Sequence, residues 1–267
     1  MRHRNVRWLV SLALVGCVPS GTSGTSGPPD SGATSRAAAA GRTSTAAPSS
    51  SGTPLALGEP LRGPYRDDFE RTPTAGPDGA VGFDLGPDWM ASAPNIWHLE
   101  SGRVCGEHAK NHGLWLKKII PTNARIEFDA MSQSPDGDIK AEFWGDGRSA
   151  ATSLSYTNAT SYLTIFGGWQ NRFHVLARIN EHGTDRQEIP IVPTSEDPKE
   201  KPVVPGQRYH FKVERTDGHS VKWSVDGVEM LSFLDSAPMA GIGHDHFGFN
   251  DWDVKVCFDN LLVTPLP

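Results

Sequence analysis

Several absences narrow the possibilities before any motif is read. The apolar stretch from Trp8 to Val15 is far shorter than the roughly 20 residues a membrane-spanning helix needs. No window carries a convincing apolar series at i, i+3, i+4 and i+7, so helices are not expected to build the fold. Basic side chains are outnumbered, 25 Lys and Arg against 31 Asp and Glu, and no basic cluster redresses the balance. Because nucleic-acid affinity comes mainly from Lys and Arg neutralising phosphates, no nucleic-acid partner is expected. G-x-S-x-G, P-loop and dinucleotide fingerprints are missing as well. Cysteine is scarce, with only Cys17, Cys105 and Cys257.

The N-terminus is the most explicit segment. Arg2, Arg4 and Arg7 precede the apolar run, and Leu14-Val15-Gly16-Cys17 closes it. That order marks an export signal and not a membrane span. Its ending resembles a bacterial lipoprotein lipobox. The resemblance implies cleavage after residue 16, acylation of Cys17 and a lipid-anchored protein of the bacterial cell envelope, with the outer membrane as the expected site. An ordinary secretory signal that happens to contain a Cys is the alternative.

Residues 17–59 are nearly all Ser, Thr, Gly, Ala and Pro, too poor in apolar surface to offset the entropy of ordering, and read as a tether. Residues 60–267 suffice for one domain with its own core. Loss of residues 1–16 leaves 22 basic against 31 acidic side chains, a net charge of −9. Cys105 and Cys257 then remain as an even pair in an oxidising compartment, expected as a disulfide, with two buried thiols as the alternative.

Short alternating segments separated by turn residues recur through the domain. Trp97–Glu100 and Arg103–Cys105 flank a Ser101-Gly102 hairpin, and Ala124–Met131 alternates with Ile126, Phe128 and Ala130 on one side. Further strands are expected at Leu114–Ile120, Ile139–Trp144, Ser161–Phe166, Phe173–Ile179, Arg208–Arg215, Val221–Val225, Glu229–Phe233, Phe247–Asn250 and Val254–Val263. Asp226-Gly227 forms a second hairpin bend. About twelve strands without helices point to an all-β, two-sheet sandwich.

Three stretches carry a resemblance: Asp67-Asp68-Phe69-Glu70 with Leu85-Gly86-Pro87-Asp88-Trp89, the Tyr209–Glu214 strand leading to Trp223…Asp226-Gly227, and Phe247–Asn250 followed by Val256–Val263. Together they resemble concanavalin-like (laminin-G-like) jelly-roll domains over about Asp67 to Val263. The resemblance implies an antiparallel jelly-roll sandwich whose first and last strands lie close together, which suits a Cys105–Cys257 bridge. It says little about activity, because that fold hosts lectins, adhesion modules, hydrolases and lyases.

Strand alternation supplies a candidate surface. If Ile139, Ala141 and Phe143 face the core, Lys140, Glu142 and Trp144 face outward. If Leu163 and Ile165 go inward, Tyr162 and Phe166 lie outside; the same logic for Phe173–Ile179 puts His174 and Arg178 outside. Glu142, Trp144, Tyr162, Phe166, His174 and Arg178, joined by Trp169 and Arg172 from a Gly-rich connection, then form a candidate glycan-binding face. Aromatic rings there would stack on sugars while charged groups take hydroxyls. Alternatively a loop such as Pro190–Pro205 covers this face and its aromatics form a second small core.

Metal chemistry has weaker support. His108 and His112, and His244 and His246, lack the context of a zinc site and read as surface or hydrogen-bonded histidines. No cofactor is expected, although some laminin-G-like domains carry a structural Ca2+. Glucanases related to this fold carry E-x-D-x-x-E on one strand. Ala141–Asp146 lacks the second acid, and four strand residues put Glu142 and Asp146 roughly 13 Å apart, beyond the two-carboxylate geometry of about 5 to 9.5 Å. A lyase would need a base such as His174 or Tyr162 near Arg178. The leading expectation is a lipid-tethered domain that binds a glycan or polysaccharide; the alternatives are a polysaccharide-active hydrolase or lyase using the same face, and a structural envelope protein.

Overall fold

The computed structural model describes residues 58–74 and 82–267. The expected signal peptide, Cys17 and nearly all of the tether lie outside the described residues. In chain order the strands are β1 (Glu59–Pro60), β2 (Tyr65–Asp67), β3 (Trp89–Ala91), β4 (His98–Glu100), β5 (Arg103–Gly106) and β6 (Leu114–Leu116). Next come β7 (Lys118–Ile119), β8 (Ala124–Ser132), β9 (Ile139–Gly145), β10 (Tyr162–Gly167), β11 (Phe173–Arg178) and β12 (Gln187–Pro190). The last are β13 (Tyr209–Arg215), β14 (Ser220–Val225), β15 (Val228–Leu234), β16 (His246–Asn250) and β17 (Val256–Pro265). A four-residue turn, α1 (Gly168–Asn171), joins β10 to β11.

Two antiparallel sheets form the expected sandwich. The front sheet runs β12-β11-β10-β9-β16-β6-β3, and the back sheet runs β15-β14-β13-β8-β17-β5-β4 with β2 added on β17. Both hairpins adopt the bends their sequences suggest. Ser101 and Gly102 have φ of 52° and 70°, and Asp226 and Gly227 have 49° and 79°, the paired left-handed conformations that match strand twist in a two-residue turn. On β8, Ile126, Phe128 and Ala130 are buried as alternation expects.

Aromatic rings fill the space between the sheets. Phe128 stacks on Phe211 with ring centroids 5.0 Å apart and meets Phe249 edge-on at 5.3 Å, while Phe249 stacks on Phe258 at 4.2 Å. Each such pair adds about 0.5–1.5 kcal/mol beyond area burial. Cys105 and Cys257 face each other across β5 and β17 and are joined by a disulfide, with Cα atoms 4.0 Å apart.

The front sheet is covered on both sides. Every residue of β9 and β10 is buried, and Tyr156, Ala159, Leu163, Ile165, Val175 and Ala177 form a second small core on the face turned away from the back sheet.

Candidate functional site

The register of β9, β10 and β11 decides which side chains can meet a ligand. Phe143 pairs with Tyr162 and Tyr162 with Arg178, whereas Glu142 pairs with Leu163 and Leu163 with Ala177. Directly paired residues share a face. Tyr162, Phe166, His174 and Arg178 therefore belong to the side of Phe143, toward the back sheet, which reverses the expectation drawn from alternation. The physical reason is that these strands have no wet face. With both sides buried, aliphatic residues on one side and aromatic ones on the other both satisfy alternation, and the pattern does not say which side is the main core.

Trp144 departs for a second reason. Phe247 pairs with Phe143 but His246 pairs with Gly145, so Trp144 is the extra residue of a bulge, with φ of 54°. The bulge swings its ring into the main core, where it is fully buried, donates from Nε1 to the Pro121 carbonyl at 3.0 Å and lies 4.0 Å beneath the Arg215 guanidinium. Tyr162 is buried beside it and donates to Asp235 at 2.7 Å; Arg178 Nε donates to the same oxygen at 2.7 Å. Phe166 stacks on His174 at 4.3 Å. His174 accepts from the Gly167 N–H and bonds the Lys201 carbonyl through Nε2, and burial depresses its pKa to about 4. A neutral imidazole with both nitrogens engaged is poorly placed as a general base. Lys201 and Val203, from the Pro190–Pro205 segment, cap this end of the main core.

Glu142 does point away from the main core, as expected, but it is sealed. Tyr156, Ser161 and Asn250 all donate to its carboxylate. Burial outweighs those bonds and raises its pKa to about 7. Arg172 is exposed, lies over the Phe173 ring and does not line the cavity described next. Of the eight residues expected at the site, Trp169 alone reaches it.

That cavity lies on the outer side of the front sheet and holds about 340 Å³. Asp138 and Lys140 of the β9 region and Ile165 of β10 form its floor. Trp169, Glu181 and Trp252 form walls, and Asp136, Leu154 and Asp253 stand around them. Lys140 Nζ donates to Glu181 at 2.9 Å and to Asn111 at 2.7 Å. Burial favours a neutral amine, yet the charges of Asp138 and Glu181 hold Lys140 above its ordinary range. Asp138 is only 8% exposed, and among the described residues no side chain hydrogen-bonds its carboxyl. Burial first, and then the charges of Glu181 and Asp136, push its carboxyl above the usual range against the pull of Lys140 and the Trp252 backbone N–H. Asp251 lies close behind, its pKa raised to about 7 by burial and by Asp138.

Trp169 is held at the wall by costly backbone. Trp169, Gln170 and Asn171 have φ of 54°, 61° and 59°, a left-handed run that costs L-residues about 1–2 kcal/mol each. Asn171 clamps it, accepting from the Val203 N–H and donating to the Val203 and Pro135 carbonyls. A Cβ on Gly137 would sit 2.7 Å from the Gly167 carbonyl oxygen, so this close approach, which sets Asp138 beside the Trp169 turn, needs glycine. Non-glycine strain concentrated at a cavity is a common mark of a functional site.

Asp138, Lys140, Glu181 and Trp252 were not nominated from sequence as site residues. The outward direction of Lys140 was a usable signal; the loop positions of Glu181 and Trp252 gave none. Two other clefts are larger. The one of about 470 Å³ beside β2 is lined by groups that satisfy each other, since Asp67 accepts from Arg71, from Trp89 Nε1 and from the Phe69 N–H. The one of about 440 Å³ is lined largely by apolar residues and prolines such as Pro193, Pro198 and Pro202. Among the described residues no group of three or more His, Cys, Asp or Glu is arranged to hold a metal. His108 bonds Asp253, His112 the Ala109 carbonyl and His244 the Thr160 carbonyl.

No protein-family model matches the chain, and no curated protein matches it. Among solved structures, it is similar to a carbohydrate-binding module from Bacillus subtilis, at 16% identity over 67% of this chain and 97% of that one, with a TM-score of 0.49. A protein of unknown function with a galectin-like fold, also from Bacillus subtilis, matches at 12% identity over 75% and 94%, with a TM-score of 0.44. Domain 4 of an extracellular arabinanase from Geobacillus stearothermophilus, solved with arabinotriose, matches at 12% identity over 61% and 70%, with a TM-score of 0.36. The site rests on its own geometry and not on these likenesses.

Proposed function

We propose that this domain binds carbohydrate, in the cavity between Trp169 and Trp252. The observation that carries the reading is the meeting of two half-buried indole rings with a buried carboxylate that no side chain hydrogen-bonds among the described residues. Sugars present apolar C–H faces, which stack on rings, and hydroxyl donors, which a carboxylate accepts. A cleft with a few convergent polar groups is the usual form of a small-ligand site. Arg186 lies 4.7 Å from the Trp169 ring centroid and Lys110 lies 4.5 Å from that of Trp252, so each wall ring is braced by a cation. Catalysis has less support: His174 is engaged in the core, Glu142 is sealed, and Glu181 is tied to Lys140.

Trp252→Ala should weaken oligosaccharide binding by roughly 1–3 kcal/mol, the range for truncating an aromatic anchor, with little change in folding. Calorimetric titration of wild type and variant checks this; equal affinities would move the site elsewhere.

The lipobox-like ending at Cys17 supports a lipid-anchored protein at the bacterial cell envelope, carrying the domain on its 17–59 tether. Cys17→Ser should release the protein from membranes or leave it unprocessed. Identical detergent partitioning of both forms would remove the anchor from the account.

A further inference from the structure

We infer that the cavity selects a glycan whose contacting sugar bears a free amine, carried as an ammonium, over neutral and uronate-bearing glycans; this rests on the carbohydrate reading above. Most charges around the cavity are paired off. Lys140 is taken by Glu181 at 2.9 Å, Lys110 by Asp253 at 2.6 Å, and Arg186 by Glu188 at 2.8 Å. His182 adds only to the Glu181 pair, at 3.4 Å. Asp138 on the floor and Asp136 at the exposed edge have no cation within ion-pair distance among the described residues.

Asp138 is the decisive group, because it is more than nine-tenths buried and lines the cavity with only the Trp252 backbone N–H and the charge of Lys140 to stabilise its carboxylate, and no ion pair of its own among the described residues. Carboxylates outnumber cations here: beyond the larger effect of burial, the charges of Glu181 and Asp136 oppose ionisation of Asp138 and the charge of Asp138 opposes that of Asp251, with Lys140 acting the other way on both. A uronate would add a further negative charge there. A neutral hydroxyl would satisfy Asp138 but leave its charge balanced only by Lys140, which Glu181 shares. An ammonium supplies three donors and a second positive charge beside the shared Lys140, and charge-assisted bonds are roughly twice as strong as neutral ones. It also lowers the cost of ionising Asp138, so binding and ionisation reinforce each other. The indole walls are compatible with it, since ring faces attract cations.

The test is calorimetric titration of the protein at about pH 6, where an amine of ordinary basicity is charged. The probes are glucosamine oligosaccharides, their N-acetylated counterparts of equal length, and an oligouronate. The amine form should bind about tenfold or more tightly than the acetylated form, and the oligouronate should not bind. Added salt should shrink the advantage. Asp138→Asn should abolish it while retaining acetylated binding, and Asp136→Asn, at an exposed position, should reduce it without a folding risk. Equal or tighter binding of the acetylated form, with or without salt, would overturn the inference and leave the carbohydrate reading intact. Failure of every oligosaccharide to bind would overturn both.

Discussion

Trp144→Ala should destabilise the domain by about 3–5 kcal/mol, the cost of truncating a fully buried tryptophan. The ring has no solvent contact, and its removal leaves a cavity beside Tyr162 and Phe143. It also leaves the Pro121 carbonyl without its donor and strips the ring from beneath the Arg215 guanidinium. Arg215 is itself wholly buried, its Nε and Nη1 bonded to the Thr122 and Met239 carbonyls. Urea denaturation of wild type and variant reads the loss directly. A shift below about 1 kcal/mol would mean that the ring stands outside the core, as simple alternation along Ile139–Trp144 suggests.

Breaking the Cys105–Cys257 bridge should cost a comparable amount. The two residues are 152 apart in sequence, and cross-linking a loop of that order removes denatured-state entropy worth about 4–5 kcal/mol in the chain-entropy model. The bridge ties β5 to β17, which in turn pairs with β8 at the centre of the back sheet. Alanine at both positions removes the two sulfurs without adding any atom, so the double variant Cys105→Ala/Cys257→Ala should fold and melt earlier. An unchanged denaturation midpoint, with both thiols free in peptide mapping of the wild type, would contradict this.

The fold was legible in sequence for definite reasons. Ser101-Gly102 and Asp226-Gly227 name their own turns, and Ala124–Ser132 has a solvated side that makes its alternation unambiguous. The site was not legible for equally definite ones. Tyr162 and Leu163 are both fully buried, on opposite faces, so the sequence of β10 offers no polar marker for its outer side. The bulge at Trp144 reverses that side chain by one inserted residue, and nothing in Phe143-Trp144-Gly145 announces it. Asp138 and Trp252 meet only because the left-handed Trp169 turn and the β16–β17 connection converge on the start of β9. That convergence is tertiary, and neither residue carries a local motif for it. Trp169 stands out in the sequence because a tryptophan in a Gly-rich turn is conspicuous by itself, and the structure places it beside the cavity.

The central claim is that a sugar sits between Trp169 and Trp252 with a polar group on Asp138. A crystal structure of the protein with its tightest-binding oligosaccharide tests it most directly. Density is expected for a sugar ring against the Trp252 indole, with a donor within hydrogen-bond distance of the Asp138 carboxylate. Density instead in the cleft beside Arg71 and Trp89, or in the proline-lined cleft near Tyr209, would contradict it.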